Sequence, residues 1–310
     1  MGIFVTVPVF VMLHSFAGRH SIEHMLIRMS LLVLIAAGAN LAQERKVDAT
    51  FLRKNLADVQ PQQSDVTTPT CRYKPVFGAG DSEARLLRSV ARFGEMIVDA
   101  GGSCAAVNYP AEEQVYFILD GTGSVQYGEE KVAVKKYDFM YFPPGVKHGA
   151  SGPMRVIVMG WRIPSGTNVK VPDKLPIANV DEVKKQVVGG HPPSTLFQLL
   201  IGDTTSTRDR LATAHVLTSL FIMEFDSGGT NFPHHHDREE EIYLVLDGHG
   251  QMVAGGGMNG VEGKFPAKAG DAYFFRLNTT VGFYAEQKPG EPKSHILALR
   301  STYPTMRGRQ

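Results

Sequence analysis

Phe232-Pro-His-His-His-Asp-Arg-Glu-Glu-Glu-Ile-Tyr-Leu-Val-Leu-Asp-Gly248 sets two histidines one residue apart in front of a carboxylate run and an apolar strand. On extended chain, side chains two apart share a face, so His234 and His236 point one way and His235 the other. After a short charged loop, Glu241 opens the strand Glu-Ile-Tyr-Leu-Val-Leu, which closes on the turn signal Asp247-Gly248. The returning strand brings Glu241 back toward the histidines, and two imidazoles with one carboxylate are a donor set for a divalent cation. The plainer reading is a solvated strand end, because runs this charged are usually surface. Glu239 and Glu240 are loop candidates, with Glu240 the reserve ligand if the register slips by one.

Working outward, the chain repeats itself. Met96-Ile-Val-Asp-Ala-Gly-Gly-Ser103 parallels Met223-Glu-Phe-Asp-Ser-Gly-Gly-Thr230, and Tyr116-Phe-Ile-Leu-Asp-Gly-Thr-Gly123 parallels Tyr243-Leu-Val-Leu-Asp-Gly-His-Gly250 at the same offset. Tyr137-Asp-Phe-Met-Tyr-Phe142 matches Gly270-Asp-Ala-Tyr-Phe-Phe275 after an insertion around 255–260. Short alternating segments divided by Gly, Asp and Pro turns are the pattern of a double-sheet jelly roll. The expected fold is all-β: two tandem jelly-roll β-barrels joined by a connector carrying a short helix, Asp181-Glu-Val-Lys-Lys-Gln-Val-Val188. The expected barrels span 76–165 and 205–303, with a flexible approach over 43–75, a connector over 166–204 and a tail over 304–310.

The pattern Gly228-x5-His234-x-His236-x4-Glu241-x6-Gly248 resembles the first motif of the cupin superfamily, and with the repeat the chain resembles a bicupin. That resemblance is specific for fold and weak for reaction, since one fold carries many chemistries. The halves depart from the family pattern in opposite ways. At the repeat offset, His234, His236 and Glu241 fall opposite Val107, Tyr109 and Gln114, so the first half lacks the triad. It keeps a second motif, Tyr137-x5-Pro143-x-Gly145-x2-His148, with Tyr137 where the family has Gly. The second half begins that motif at Gly270, but Arg276, Asn278 and Val281 replace its Pro, Gly and fourth-ligand His. The two half-sets belong to separate barrels, so one shared site is not expected, and His148 without partners reads as structural.

Three protein donors leave coordination positions open, the arrangement that Fe(II) oxygenases use, and this puts a dioxygenase ahead of an isomerase or lyase. One divalent transition metal is expected, Fe or Mn ahead of Ni, Cu or Zn. A small oxygen-rich compound able to chelate, such as a hydroxyketone, sugar acid or enediol, suits such an ion acting as Lewis acid or redox centre. Tyr243 shares the Glu241 face by alternation, Arg276 offers a fork for a substrate carboxylate, and His295 offers an acid/base. Against these stand a surface role for Arg276 and a satisfied core role for His295, with His215 similar to His295 but weaker. The alternatives to an enzyme are a non-catalytic exported bicupin holding a sugar-like or small acid ligand, and a structural or storage-type bicupin. Val281 then marks a site that has lost its turnover.

The remaining composition narrows the classes. Net charge is +1 with no Lys/Arg run, which gives nucleic-acid binding no electrostatic support. Cys71 and Cys104 have no zinc spacing and leave two readings open, a disulfide in an oxidising compartment or two buried thiols. Arg28 followed by Met29-Ser-Leu-Leu-Val-Leu-Ile-Ala-Ala-Gly-Ala-Asn-Leu-Ala42 reads as an export signal cleaved near Ala39 or Ala42, too short for a comfortable span. A second apolar run, Ile3 to Leu13, points to translation starting at Met25 or Met29, or else to an N-terminal membrane anchor. The expected location is periplasmic or secreted, with a small-molecule partner, no span after signal removal, and room for a homo-oligomer.

Overall fold

In the computed structural model, residues 48–256 and 261–302 are described, and the expected export segment lies outside them. Eighteen strands run β1 (Phe51–Asn55), β2 (Cys71–Gly78), β3 (Val90–Val98), β4 (Glu112–Tyr127), β5 (Glu130–Lys135), β6 (Asp138–Phe142), β7 (His148–Ser151), β8 (Met154–Arg162) and β9 (Ile177–Asn179) in the first half. The second half has β10 (Thr195–Asp203), β11 (Leu211–Ala214), β12 (Leu217–Phe225), β13 (Glu239–Asp247), β14 (His249–Gly256), β15 (Val261–Lys268), β16 (Asp271–Phe275), β17 (Thr280–Ala285) and β18 (Ser294–Thr302). The fold is all-β, as the repeat predicts. The first barrel is the sheet β2-β3-β8-β4-β6-β9, with the far half of β4 also pairing β5 and β7. The second is β1-β16-β13-β18-β12-β10-β11 faced by β15-β14-β17.

Three buried clusters explain why so many strands are apolar on both faces. Tyr116 and Ile118 of β4 fill the first barrel, while Tyr243 and Val245 of β13 fill the second. The alternate residues Val115 and Phe117, and Ile242 and Leu244, enter a third core shared by the two barrels, across which Phe77 meets Phe274 at 6.1 Å. Each main sheet thus packs one face inward and one against its partner barrel.

The strands cross the expected boundaries. The approach expected to be flexible over 43–75 carries β1 and the start of β2, with Leu56, Val66, Cys71 and Tyr73 buried. β1 precedes the first barrel yet pairs with β16 of the second, and β9, from the connector, closes the edge of the first barrel at β6. Strand β10, expected to be connector, pairs β12 as a full core strand. The expected helix at 181–188 is a single 3-10 turn, Val180–Glu182, held by a reciprocal Asn179/Glu182 capping box. Beyond it, Gln186 pairs with Phe197 as an isolated β-bridge, so tertiary pairing overrides the weak helical periodicity. Of the two readings open for the cysteines, Cys71 and Cys104 form a disulfide, Cα to Cα 5.0 Å.

Candidate metal centre

Pro233 fixes the entry to the histidine segment, and backbone bonds to Val281 in both directions hold His234 (2.9 and 2.8 Å). The imidazoles of His234 and His236 lie edge to face, centroids 5.0 Å apart. Glu241, on β13, is paired with Phe275 on one side and Arg300 on the other and is 2% exposed. Donor atoms of His234, His236 and Glu241 all lie within 4.8 Å of one another. The structure brings these three residues together. His235 is exposed, as alternation requires.

The donor states suit a cation. His234 Nδ1 donates to the Phe232 carbonyl (2.8 Å), which fixes the tautomer and leaves Nε2 with its lone pair. His236 Nε2 and Glu241 Oε2 are buried, stand 3.4 Å apart and make no hydrogen bond. A buried carboxylate oxygen without a donor is costly, and a divalent ion shared with the two imidazoles removes that cost. Burial works against protonation of His236, but Glu241 and Glu239 outweigh it and raise its pKa. The residues present fit a metal.

These donors line a cavity of about 250 Å³ whose walls include Phe197, Leu199, Phe221 and Met223. Tyr243 lines it too, with its phenol accepting from Asn231 Nδ2 (3.0 Å), and burial and the Glu241 charge push that phenol up. Larger depressions lie elsewhere; in the one beside β1, Arg53 pairs with Asp271 and Lys54 with Asp81.

Two expected participants stand outside the cavity. Arg276 donates to the Ala49 carbonyl (3.3 Å), so its guanidinium ties down the segment ahead of β1. His295 faces Glu224 at 3.1 Å and Asp247 at 3.7 Å on the other face of β18. Burial opposes ionisation of Glu224, but Lys185, Lys293 and His295 hold it down at about 2. Glu240 is no reserve ligand: its carboxylate leaves the barrel and accepts from the backbone of Arg88 and Ser89.

Three residues unread in the sequence share the cavity: His191, Arg208 and Arg300. His191 stands 5.6 Å from His234, ring to ring, and its Nδ1 donates to the Asn231 carbonyl (3.1 Å). Burial lowers its pKa. Its position in a Gly-Gly-His-Pro-Pro turn of the connector carries no linear signal. Arg300 follows Ile296 and Ala298 on the inner face of β18, but Leu297 and Leu299 on the other face are equally apolar. Alternation therefore could not tell which face was which.

In the first barrel, the positions opposite the triad hold a different chemistry. Tyr109 OH donates to Asp65 (2.7 Å) and accepts from Arg92 (2.8 Å), whose Nε reaches Glu112 at 3.2 Å. Gln114 donates to the same Glu112 oxygen (2.9 Å). A guanidinium network occupies this end of the barrel. His148 stacks on Phe142 at 4.5 Å and is not joined to the second barrel's triad.

Comparison with known proteins places this geometry. Residues 94–160 match the model of a cupin domain, which lies in the barrel without the triad. An uncharacterized protein of Methanocaldococcus jannaschii is 37% identical over 54 residues, a match covering 17% of this chain and 43% of that protein, under half its length. Among solved structures, protein Ylba of E. coli superposes with TM-score 0.60 at 14% identity, covering 85% of this chain and 96% of that one. Oxalate decarboxylase of Lactobacillus farciminis superposes with TM-score 0.58 at 13% identity, covering 81% and 86%. Identities this low speak for the fold alone. Residues 94–160 thus match a cupin domain, and the two-barrel chain around them shares its fold with these solved structures.

Proposed function

We propose that the protein is a metal-dependent bicupin enzyme acting on a small oxygen-rich compound, with one divalent ion held in the second barrel by His234, His236 and Glu241. The observation that carries it is the buried convergence of His236 Nε2 and Glu241 Oε2, 3.4 Å apart and without a hydrogen bond, beside His234. When bound, such an ion supplies Lewis-acid or redox chemistry to a chelating substrate. The chain's own residues do the rest. His234 is held in its ligating tautomer by Phe232, aromatic and aliphatic side chains wall the cavity, and Tyr243 lines it beside the donors. The donor set leaves room for substrate, which favours a dioxygenase over an isomerase or lyase. Oxalate decarboxylases share this fold, and their substrate makes small acids the first compounds to try. The disulfide supports a periplasmic or secreted location.

Metal analysis of purified protein should find about one divalent ion per chain. His234→Ala and His236→Ala should each abolish it, and His235→Ala should leave it. Full occupancy in a double His234/His236 alanine variant would sink the reading. Oxygen uptake with a panel of small acids, sugars and phenols then separates an oxygenase from an isomerase or lyase. A metal-loaded protein inert toward the whole panel would favour the non-catalytic binding reading.

A further inference from the structure

We propose that the second-barrel cavity seats a small carboxylate, its anionic group taken by Arg300 and Arg208 beside the metal position; this rests on the metal reading above. Arg300 is the cross-strand partner of Glu241, so both side chains enter the barrel from adjacent strands. Its guanidinium lies 5.7 Å from the Phe221 ring centroid, and only Nη1 is engaged, at 3.3 Å from Glu239. Arg300 Nε is buried and has no hydrogen-bond partner. A planar fork with donors to spare matches a carboxylate in geometry as well as charge. Arg208 reaches the same cavity from the β10–β11 loop and is exposed, which puts it at the entrance.

Charge bookkeeping points the same way. The lining holds two guanidiniums against one carboxylate, Glu241. The next carboxylate, Glu239, is shared among His236, Arg300 and Thr218. A divalent ion added to this set leaves the cavity cationic even after both carboxylates are counted, so an anion completes it. Size and polarity narrow the class further. About 250 Å³ holds the volume of roughly eight waters, enough for a short acid. Val188, Phe197, Leu199, Phe221 and Met223 line the apolar side of the wall and suit the short carbon chain of such an acid, while Arg208 and Arg300 supply donors for its charged end.

Malonate and its neutral analogue malonamide, titrated calorimetrically into Mn²⁺-loaded protein, test the proposal. Malonate should bind and malonamide should not. Arg208→Gln and Arg300→Gln, neither a metal donor, should each weaken malonate at least tenfold while Mn²⁺ content is unchanged. No malonate binding to the loaded protein, equal binding of the two probes, or unchanged affinity in Arg208→Gln would overturn it. Arginine-dependent malonate binding in a protein that takes up no Mn²⁺ would keep the anion seat and overturn the metal reading instead.

Discussion

His148 shows how a histidine without ligand partners is held in a packed aromatic interior. Its ring sits among Phe142, Tyr116 and Tyr109, Nδ1 donates to the Val146 carbonyl (2.8 Å), and Nε2 is buried without a partner. Burial pushes its pKa down to about 4. The unfolded chain takes up this proton below about 6.5, the folded chain only near 4. Stability from a neutral His148 is therefore complete above pH 6.5 and falls as the pH drops toward 4, by about 3 kcal/mol. Urea melts across that range should show the fall in the wild type and a flatter profile in His148→Phe. Parallel profiles would refute it. Backbone conformation is conserved where residue type is not: Tyr137 has φ +68° where its repeat partner Gly270 has +88°, and Asn278 has +58°. Tyr137 accepts a left-handed strain of roughly 1–2 kcal/mol that Gly avoids, whereas Asn tolerates that region better.

Between elements, the repeat builds a reciprocal clasp. Glu113 of β4 accepts backbone N–H groups of His215, Val216 and Leu217 in the second barrel at 2.7–2.8 Å, and the Tyr141 hydroxyl at 3.1 Å. Glu240 of β13 accepts those of Arg88 and Ser89 in the first barrel at 2.8 Å, and the Ser89 hydroxyl at 2.7 Å. Each carboxylate sits one residue before the triad position of its own strand, so alternation sends it out of the barrel. Burial pushes both carboxyls up, and the converging donors pull them back. Replacing either glutamate by glutamine turns an acceptor pair into an amide that opposes backbone donors. Glu113→Gln and Glu240→Gln should each cost about 3 kcal/mol in chemical denaturation. A change below about 0.5 kcal/mol would show that the barrels are held by the shared apolar core alone.

At the scale of the molecule, the two barrels are interleaved, with β1 completing the second and β9 the first. The disulfide lies within the first barrel and closes a loop across 33 positions of sequence. Chain-entropy arguments give such a loop about 4 kcal/mol of stabilisation, and reduction should lower the melting temperature by several degrees. Denatured but unreduced protein should show no titratable thiol. Free thiol in protein handled without reductant would contradict the bond.

The sequence by itself determined what has a short period or a repeat. Alternation and turn residues pointed to the all-β fold, self-similarity to two barrels, and the His234-x-His236 spacing to a convergence with Glu241, because neighbours on a strand have fixed faces. The Tyr243 face followed from the same rule. Tertiary structure alone decided the rest. It sent β1 and β9 to opposite barrels, turned Glu240 into a clasp, and took His295 and Arg276 out of the cavity. It also brought His191, Arg208 and Arg300 into the cavity from a connector turn, a loop and a last strand. The physical reason is that these strands are buried on both faces, against their own barrel and against its partner, so apolar pattern no longer distinguishes inside from outside.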